Sequence, residues 1–504
     1  MEHSDVRTAC GWVRGAKTGT VWAWKGIPYA KAPLGDLRFR PPEPPASWSG
    51  VREALRHGRA APQPERLAAG AETGEDCLYL NIWSPGADGK RRPVMVWIHG
   101  GAYIGGSAAS PLYDGEAFAG NGDVVFVSLN YRLGTLGYLY LGHLGGEEYA
   151  GSGNNGTLDQ IAALRWIRDN IAAFGGDPDR ITVFGQSSGA GSVSVLLASP
   201  MAQGLFRQAV LQSWSASSTA SAADAEKVTA RVLSLLGVSR TNALRELQRL
   251  PAQALAEAAA SLPFVSLRPV EDGAVLGAPP LEAIRNGAAD SIPIVAGGTL
   301  DEYGMSASRD PVFGRQDEEE IVRYCAEMAG PFWDEVAPYY WANEAAGRTA
   351  AEKMKRMMTF HRYTYSTERL LSALAERKAP VWAYRFDWRS PVAGGVLGAC
   401  HGMELPFVFG TLETQEALDR TGGSPDRQRL AEQMQRAWIS FARNGDPGTP
   451  EIPAWPRYDS ERRKTMLFHL GSRVADDPHR EERGIWDQAS KKLQLDHQPV
   501  ILSF

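Results

Sequence analysis

The sequence predicts an α/β fold, a mainly parallel central sheet flanked by helices. Three observations predict it. Apolar runs such as Val94-Met95-Val96-Trp97-Ile98 and Val124-Val125-Phe126-Val127 carry no polar alternation, the signature of strands covered on both faces. Such runs alternate with stretches of helical periodicity, the order of a doubly wound sheet. One strand, Ile181–Gly185, runs straight into Gly185-Gln186-Ser187-Ser188-Gly189 and then a helical pattern.

Along the chain, strands are expected at Leu78–Trp83, Val94–His99, Val124–Leu129, Ile181–Gly185, Gln208–Gln212, Ile292–Gly297, Val381–Phe386 and Lys464–Phe468. The clearest helix is expected to start near Thr157, where Thr157 and Gln160 have the spacing of a capping box. Leu158, Ile161, Leu164, Ile167 and Ile171 recur at helical spacing, and Phe174-Gly175-Gly176-Asp177-Pro178 ends the run. A second helix follows Ser187, and a third spans Arg427 to Asn444. Helix-rich stretches at 222–260 and 317–375 are expected to cap the C-terminal edge of the sheet. No linker divides the chain, so residues 1–504 are read as one domain.

Composition excludes several classes. Of 504 residues 43% are apolar and 22% charged, an ordinary globular mix, and the net charge of −5 is no basic footprint for nucleic acid. No run approaches the ~18 apolar residues that cross a bilayer. The N-terminus has no apolar core of a signal peptide. Cys10, Cys77, Cys325 and Cys400 show no metal spacing and no disulfide framework, which predicts reduced thiols and a cytoplasmic protein.

The chemistry concentrates at Ser187. A sharp strand-to-helix turn lifts a serine hydroxyl out of the sheet, and small residues around it let the backbone approach. His99-Gly100-Gly101-Ala102-Tyr103 follows an apolar strand and reads as a loop whose amides face a substrate carbonyl oxygen. An acid and a histidine should follow the serine in that order. Asp301-Glu302, after the strand at Ile292–Gly297, is an acidic pair at a strand's C-terminal end. Of His361, His401, His469, His479 and His497, His401 is favoured because it sits between a cysteine and a glycine on a loop after a strand. His469 reads as a structural residue within a strand.

Together these residues resemble the type-B carboxylesterase family, which includes cholinesterases and bacterial para-nitrobenzyl esterases. Gly26-Ile27-Pro28-Tyr29-Ala30, Leu37-Arg38-Phe39, Glu75-Asp76-Cys77-Leu78-Tyr79-Leu80-Asn81-Ile82, Gly153-Asn154-Asn155-Gly156 and His401-Gly402-Met403-Glu404-Leu405 match its blocks in order. The resemblance implies an α/β-hydrolase fold and a serine carboxylesterase. It makes Ser187 the nucleophile, Glu302 the acid and His401 the base. The amides of Gly101, Ala102 and Ser188 become the oxyanion hole, and Ser213 lies behind the acid. It implies an ion pair between Arg38 and Glu75 with no catalytic part.

The departures from the family matter. Gln186 stands where the family usually carries glutamate, and no tryptophan lies between Trp48 and Cys77 to stack on choline. The expected substrates are therefore neutral, apolar or aromatic carboxylic esters, with Tyr103, Trp214, Phe264, Phe313, Phe360 and Tyr365 as candidate pocket aromatics. Carbamates, amides and aryl diesters such as phthalates use the same triad and are the alternative; a non-catalytic cholinesterase-like binding protein is the remote one. No cofactor, metal, nucleic acid or membrane partner is expected, and the chain is read as a monomer or weak dimer.

Overall fold

The computed structural model describes residues 2–68, 70–216, 219–304, 317–342 and 349–494. Its centre is a thirteen-stranded sheet. In chain order the strands are β1 (His3–Thr8), β2 (Gly11–Thr18), β3 (Val21–Pro28), β4 (Val51–Glu53), β5 (Tyr79–Ser84), β6 (Arg92–Ile98), β7 (Val125–Leu129), β8 (Gly176–Gln186) and β9 (Gln208–Gln212). A separate pair, β10 (Ala220–Ser221) and β11 (Val270–Glu271), precedes β12 (Ile294–Thr299), β13 (Val381–Phe386), β14 (Lys464–Phe468) and β15 (Arg473–Asp476). The spatial order is β1-β2-β3-β5-β7-β6-β8-β9-β12-β13-β14-β15, with β4 beside β2. From β7 to β14 every neighbouring pair is parallel.

The unalternating apolar runs are explained by what covers them. Val94, Val96 and Ile98 of β6 enter one buried cluster and Met95 and Trp97 the other, so both faces of the sheet are dry. The expected strands are β5 to β9 and β12 to β14, the parallel core and the antiparallel β5 beside it. The N-terminal strands β1 to β4 and the edge strand β15 were not among them. β1, β4 and β15 are largely or partly exposed, and β2 and β3 mix buried with partly exposed residues, so none forms an unbroken apolar run.

The capping box expected at Thr157 is not formed. Helix α1 spans Asn155–Asn170, so Thr157 and Gln160 lie inside it, fully buried. Gln160 Nε2 donates instead to Ser192 Oγ at 3.0 Å. Asp159 on the same helix holds Arg132 through Nε at 2.8 Å and Nη2 at 2.7 Å, with both side chains buried. A polar run at this helix start is therefore packing chemistry and not a cap. Helix α2 (Ser188–Ala198) follows β8 directly, and the long helix Asp426–Asn444 ends on left-handed Gly445.

Between β9 and β12 the helices Ala222–Leu236, Ala243–Arg249 and Ala252–Ala260 leave the sheet. Arg38 ties them down: Nη1 donates to the carbonyls of Leu247, Gln248 and Leu250, while Nε donates to Glu75 at 2.7 Å. Between β12 and β13 come Glu318–Ala329, Trp333–Trp341, Ala350–Thr359 and Tyr365–Glu376. The last two are joined by a π-helical turn, Phe360–Thr364.

Candidate active site

The site gathers at the C-terminal ends of β6, β8, β12 and β13. Ser187 sits between β8 and α2 at φ 57°, ψ −131°, and its amide donates to the Gln212 carbonyl at 2.9 Å. A side chain held at positive φ is strained by roughly 1–3 kcal/mol, and the surroundings must hold it there. The glycines of the motif make that possible. A Cβ on Gly189 would lie 2.1 Å from the Ile98 carbonyl oxygen, and one on Gly185 would lie 2.5 Å from the Gly189 carbonyl carbon. Only bare backbone lets the helix start this close to β6.

The loop after β6 packs on that turn. Gly101, Ala102 and Tyr103 have φ of 119°, 54° and 61°, three successive left-handed residues. At Gly101 a side chain is barred, since its Cβ would meet the Gly105 carbonyl oxygen at 2.0 Å. Among the described residues the amides of Gly101, Ala102 and Ser188 have no protein acceptor, whereas Tyr103 N–H donates to Ser188 Oγ at 3.3 Å. That bond turns the Ser188 hydroxyl back into the protein. His99 anchors the loop from below: its ring stacks on Tyr131 at 4.6 Å, and burial pushes it down to about 4.

Glu302 and His401 form a tight pair. His401 Nδ1 lies 2.6 Å from Glu302 Oε2, and Thr299 N–H donates to Glu302 Oε1 at 2.7 Å. Glu302 is 1% exposed. The neighbouring Asp301 of the acidic pair points elsewhere, accepting from Ala399 N–H at 3.0 Å and facing Lys355 and Arg389. His401 Nε2 faces the serine turn, 3.0 Å from Gln186 Nε2. Behind Glu302, Ser213 is buried at φ 59°, its Oγ without a hydrogen-bond partner among the described residues, and lines a cavity of about 20 Å³ with Glu302 and Thr299. Close by, burial and then the charge of Glu302 push Glu404 up to about 7.

The candidate pocket aromatics separate into groups. Trp214 and Phe264 continue a row toward His401: Phe264 is 6.3 Å from Trp214, Trp214 is 5.6 Å from Tyr363, and Tyr363 is 4.8 Å from the His401 ring. Sequence reasoning missed Tyr363. Tyr103 is fully buried against Tyr138 and offers its backbone, not its ring. Phe360 and Tyr365 are placed elsewhere, around Trp486, with the Tyr365 hydroxyl donating to the Trp486 carbonyl and Asp487. Phe360 lines a separate cavity of about 410 Å³ whose charged walls include Asp301, Lys355, Arg356 and Glu482. Phe313 and His497 lie outside the described residues.

His361 is buried in the π-helical turn and pushed down to about 3, as is His479, which lies against Phe360. His469 lies just past β14 and not within a strand, its Nδ1 accepting from Gly471 N–H. Among the described residues no group of three or more potential metal ligands occurs, and no helix is long and apolar enough to cross a membrane. Among the described residues no disulfide joins the four cysteines, and Cys77 lies deep in the core.

A serine on a strand–turn–helix elbow, above a mainly parallel sheet and beside a histidine–carboxylate pair, defines an α/β-hydrolase. The chain belongs to the carboxylesterase family, whose model matches residues 2–486. It is similar to the para-nitrobenzyl esterase of Bacillus subtilis, 39% identical over 96% of this chain and 98% of that one. Phenmedipham hydrolase of Pseudarthrobacter oxydans is 35% identical over 94% and 96%. A solved carboxylesterase structure from Geobacillus stearothermophilus superposes with a TM-score of 0.89 at 47% identity, covering 96% and 99%. The protein is thus a carboxylic-ester hydrolase of the serine class.

Proposed function

We propose that Ser187 is the nucleophile, His401 the general base and Glu302 its orienting acid, acting on neutral esters with an apolar or aromatic group. The observation that carries this reading is the His401–Glu302 bond, made through Nδ1, with Nε2 on the edge of the imidazole turned to the serine elbow. A serine hydroxyl is a weak nucleophile until a base takes its proton. His401 accepts that proton at Nε2 as Ser187 Oγ bonds to the ester carbonyl carbon. Glu302 keeps the hydrogen on Nδ1 and stabilises the imidazolium. The carbonyl oxygen becomes an oxyanion among the Gly101, Ala102 and Ser188 amides, each such donor being worth ~3 kcal/mol of barrier. The imidazolium then protonates the departing alcohol. Water, deprotonated by the same nitrogen, attacks the acyl-serine and releases the acid.

Two features support the substrate class. Gln186 places an amide where a carboxylate would attract cations, and Tyr363, Trp214 and Phe264 lay apolar surface from the base outward. The similarity to para-nitrobenzyl esterase and phenmedipham hydrolase agrees with an aromatic substrate, on the alcohol or the acyl side. The test is a panel of p-nitrophenyl esters of rising acyl length with aryl carbamates, dialkyl phthalates and butyrylcholine. A neutral butyrate ester should exceed butyrylcholine in kcat/KM by about tenfold, the worth of a missing cation–π contact. Preference for the choline ester would defeat the specificity reading. Preference for carbamates would move the assignment to the alternative while keeping the triad.

A further inference from the structure

We propose that Gln186 is a positioning residue that occupies the reactive lone pair of His401 at rest, so that Ser187 is activated only when its hydroxyl displaces the Gln186 amide. This rests on the assignment of His401 as base.

Gln186 is the last residue of β8, 5% exposed, and its Nε2 lies 3.0 Å from His401 Nε2. An amide nitrogen offers hydrogens and no lone pair, so the ring nitrogen it meets is the acceptor. Nδ1, 2.6 Å from the Glu302 carboxylate, then carries the ring hydrogen. These two contacts hold the imidazole in the tautomer a base requires. Its Nε2, however, has one in-plane lone pair, and the Ser187 hydroxyl needs the same one. Two donors compete for a single acceptor, and at rest the amide holds it.

The other groups around the ring leave that edge to Gln186. Arg420 Nη2 donates to the His401 backbone carbonyl at 2.9 Å. Glu404 accepts from Gln212 Nε2 at 3.2 Å through Oε1. Tyr363 presents ring surface, 4.8 Å from the imidazole. Glu302 lies on the opposite edge. Two glycines give the amide room to move aside: a Cβ on Gly100 would sit 3.3 Å from Gln186 Oε1, and one on Gly402 would sit 3.5 Å from Nε2. Once Nε2 is protonated its hydrogen points to the reacting oxygens, so the amide has no part in the transition state. The bond is made in the ground state alone, and removing it speeds the step.

The experiment compares the full-length protein with Gln186→Met, Gln186→Leu and Gln186→Glu at a pH where the rate no longer rises. A fluorophosphonate reports acylation of Ser187, and p-nitrophenyl butyrate reports kcat/KM. One hydrogen bond to the lone pair corresponds to about a three- to tenfold effect. Met and Leu, which cannot donate, should label faster and raise kcat/KM by that factor. A purely structural role could only lower both, so a gain in rate is the discriminating readout. Gln186→Glu brings a full negative charge to the same edge and should displace the acid limb of kcat/KM to higher pH. Equal or slower labelling in both Met and Leu variants, with circular dichroism unchanged, would overturn the inference. Should the Met and Leu variants fail to fold, an unmoved acid limb in Gln186→Glu overturns it. Ser187→Ala and His401→Ala serve as controls: turnover surviving in either means the triad assignment has failed, whatever Gln186 does.

Discussion

Glu302→Gln changes one atom and should nearly silence the enzyme. The reason lies in two bonds at the carboxylate. Thr299 N–H donates to Oε1 at 2.7 Å, and His401 Nδ1 sits 2.6 Å from Oε2. In the amide, only the oxygen can accept from Thr299, so the NH2 group is forced to face His401. Its hydrogens then require Nδ1 to be the acceptor, and the ring hydrogen moves to Nε2. That tautomer cannot take a proton from Ser187. A wrong-tautomer substitution of this kind in a serine-protease triad lowers kcat by about 10⁴, so a fall of roughly 10³–10⁴, or about 4–5.5 kcal/mol of barrier, is expected here. The assay is single-turnover acylation by p-nitrophenyl butyrate, which separates the chemical step from release, alongside thermal unfolding to show that the fold is kept. The oxyanion amides are untouched, so residual activity should remain above that of water. A loss of less than tenfold would refute the reasoning, because it would mean that Thr299 does not fix the amide or that Glu302 does not orient the base.

Three further outcomes are expected. Ser187→Ala should lose turnover and fluorophosphonate labelling while unfolding at the same denaturant concentration; mass spectrometry that finds the label on another serine would reject the elbow assignment. Gly189→Ala, whose Cβ would lie 2.1 Å from the Ile98 oxygen, should destabilise the protein by about 1–3 kcal/mol or more in urea unfolding and reduce activity with it; an unchanged midpoint would show that α2 can shift without harm. Glu404, pushed up to about 7 by burial and the Glu302 charge, binds a proton that the unfolded chain releases near ~4.5. Its burial therefore costs nothing below about pH 4.5, and its penalty grows as pH rises to about 7, to roughly 3 kcal/mol. Urea unfolding of Glu404→Gln against wild type should show a gap that widens in the variant's favour over that window and is flat above it; a gap independent of pH would contradict the buried, protonated state.

Much of the parallel core was legible because its strands are buried on both faces, and runs such as Val94–Ile98 are apolar without alternation, short and rich in β-branched residues. The elbow and the loop at Gly101 were legible because backbone contact at 2–3 Å leaves glycine no substitute. The Thr157 capping box misled because a pattern of polar residues does not say whether a helix has already begun; here it begins at Asn155 and the polar groups face inward. Tyr363 was missed between the candidates Phe360 and Tyr365, and even their spacing could not have singled it out. Helical periodicity assumes a constant angle per residue, and the π-helical turn at Phe360–Thr364 breaks it. Which face Tyr363 takes depends on a hydrogen-bond pattern that no local composition announces.

That turn also changes how this region can be altered. A substitution at Tyr363 edits one side chain, but removing a single residue from 360–364 would restore ordinary helical winding. What lies downstream would keep nearly the same face, because a π-helical turn takes in one more residue than an α-helical turn while sweeping about the same angle. The change would fall on the turn itself, where Tyr363 stands beside His401, while the helix Tyr365–Glu376 kept its packing. Along this stretch, segment length is itself a heritable specificity variable, and variants differing by one insertion or deletion can diverge in the groups they accept more abruptly than variants differing at several positions.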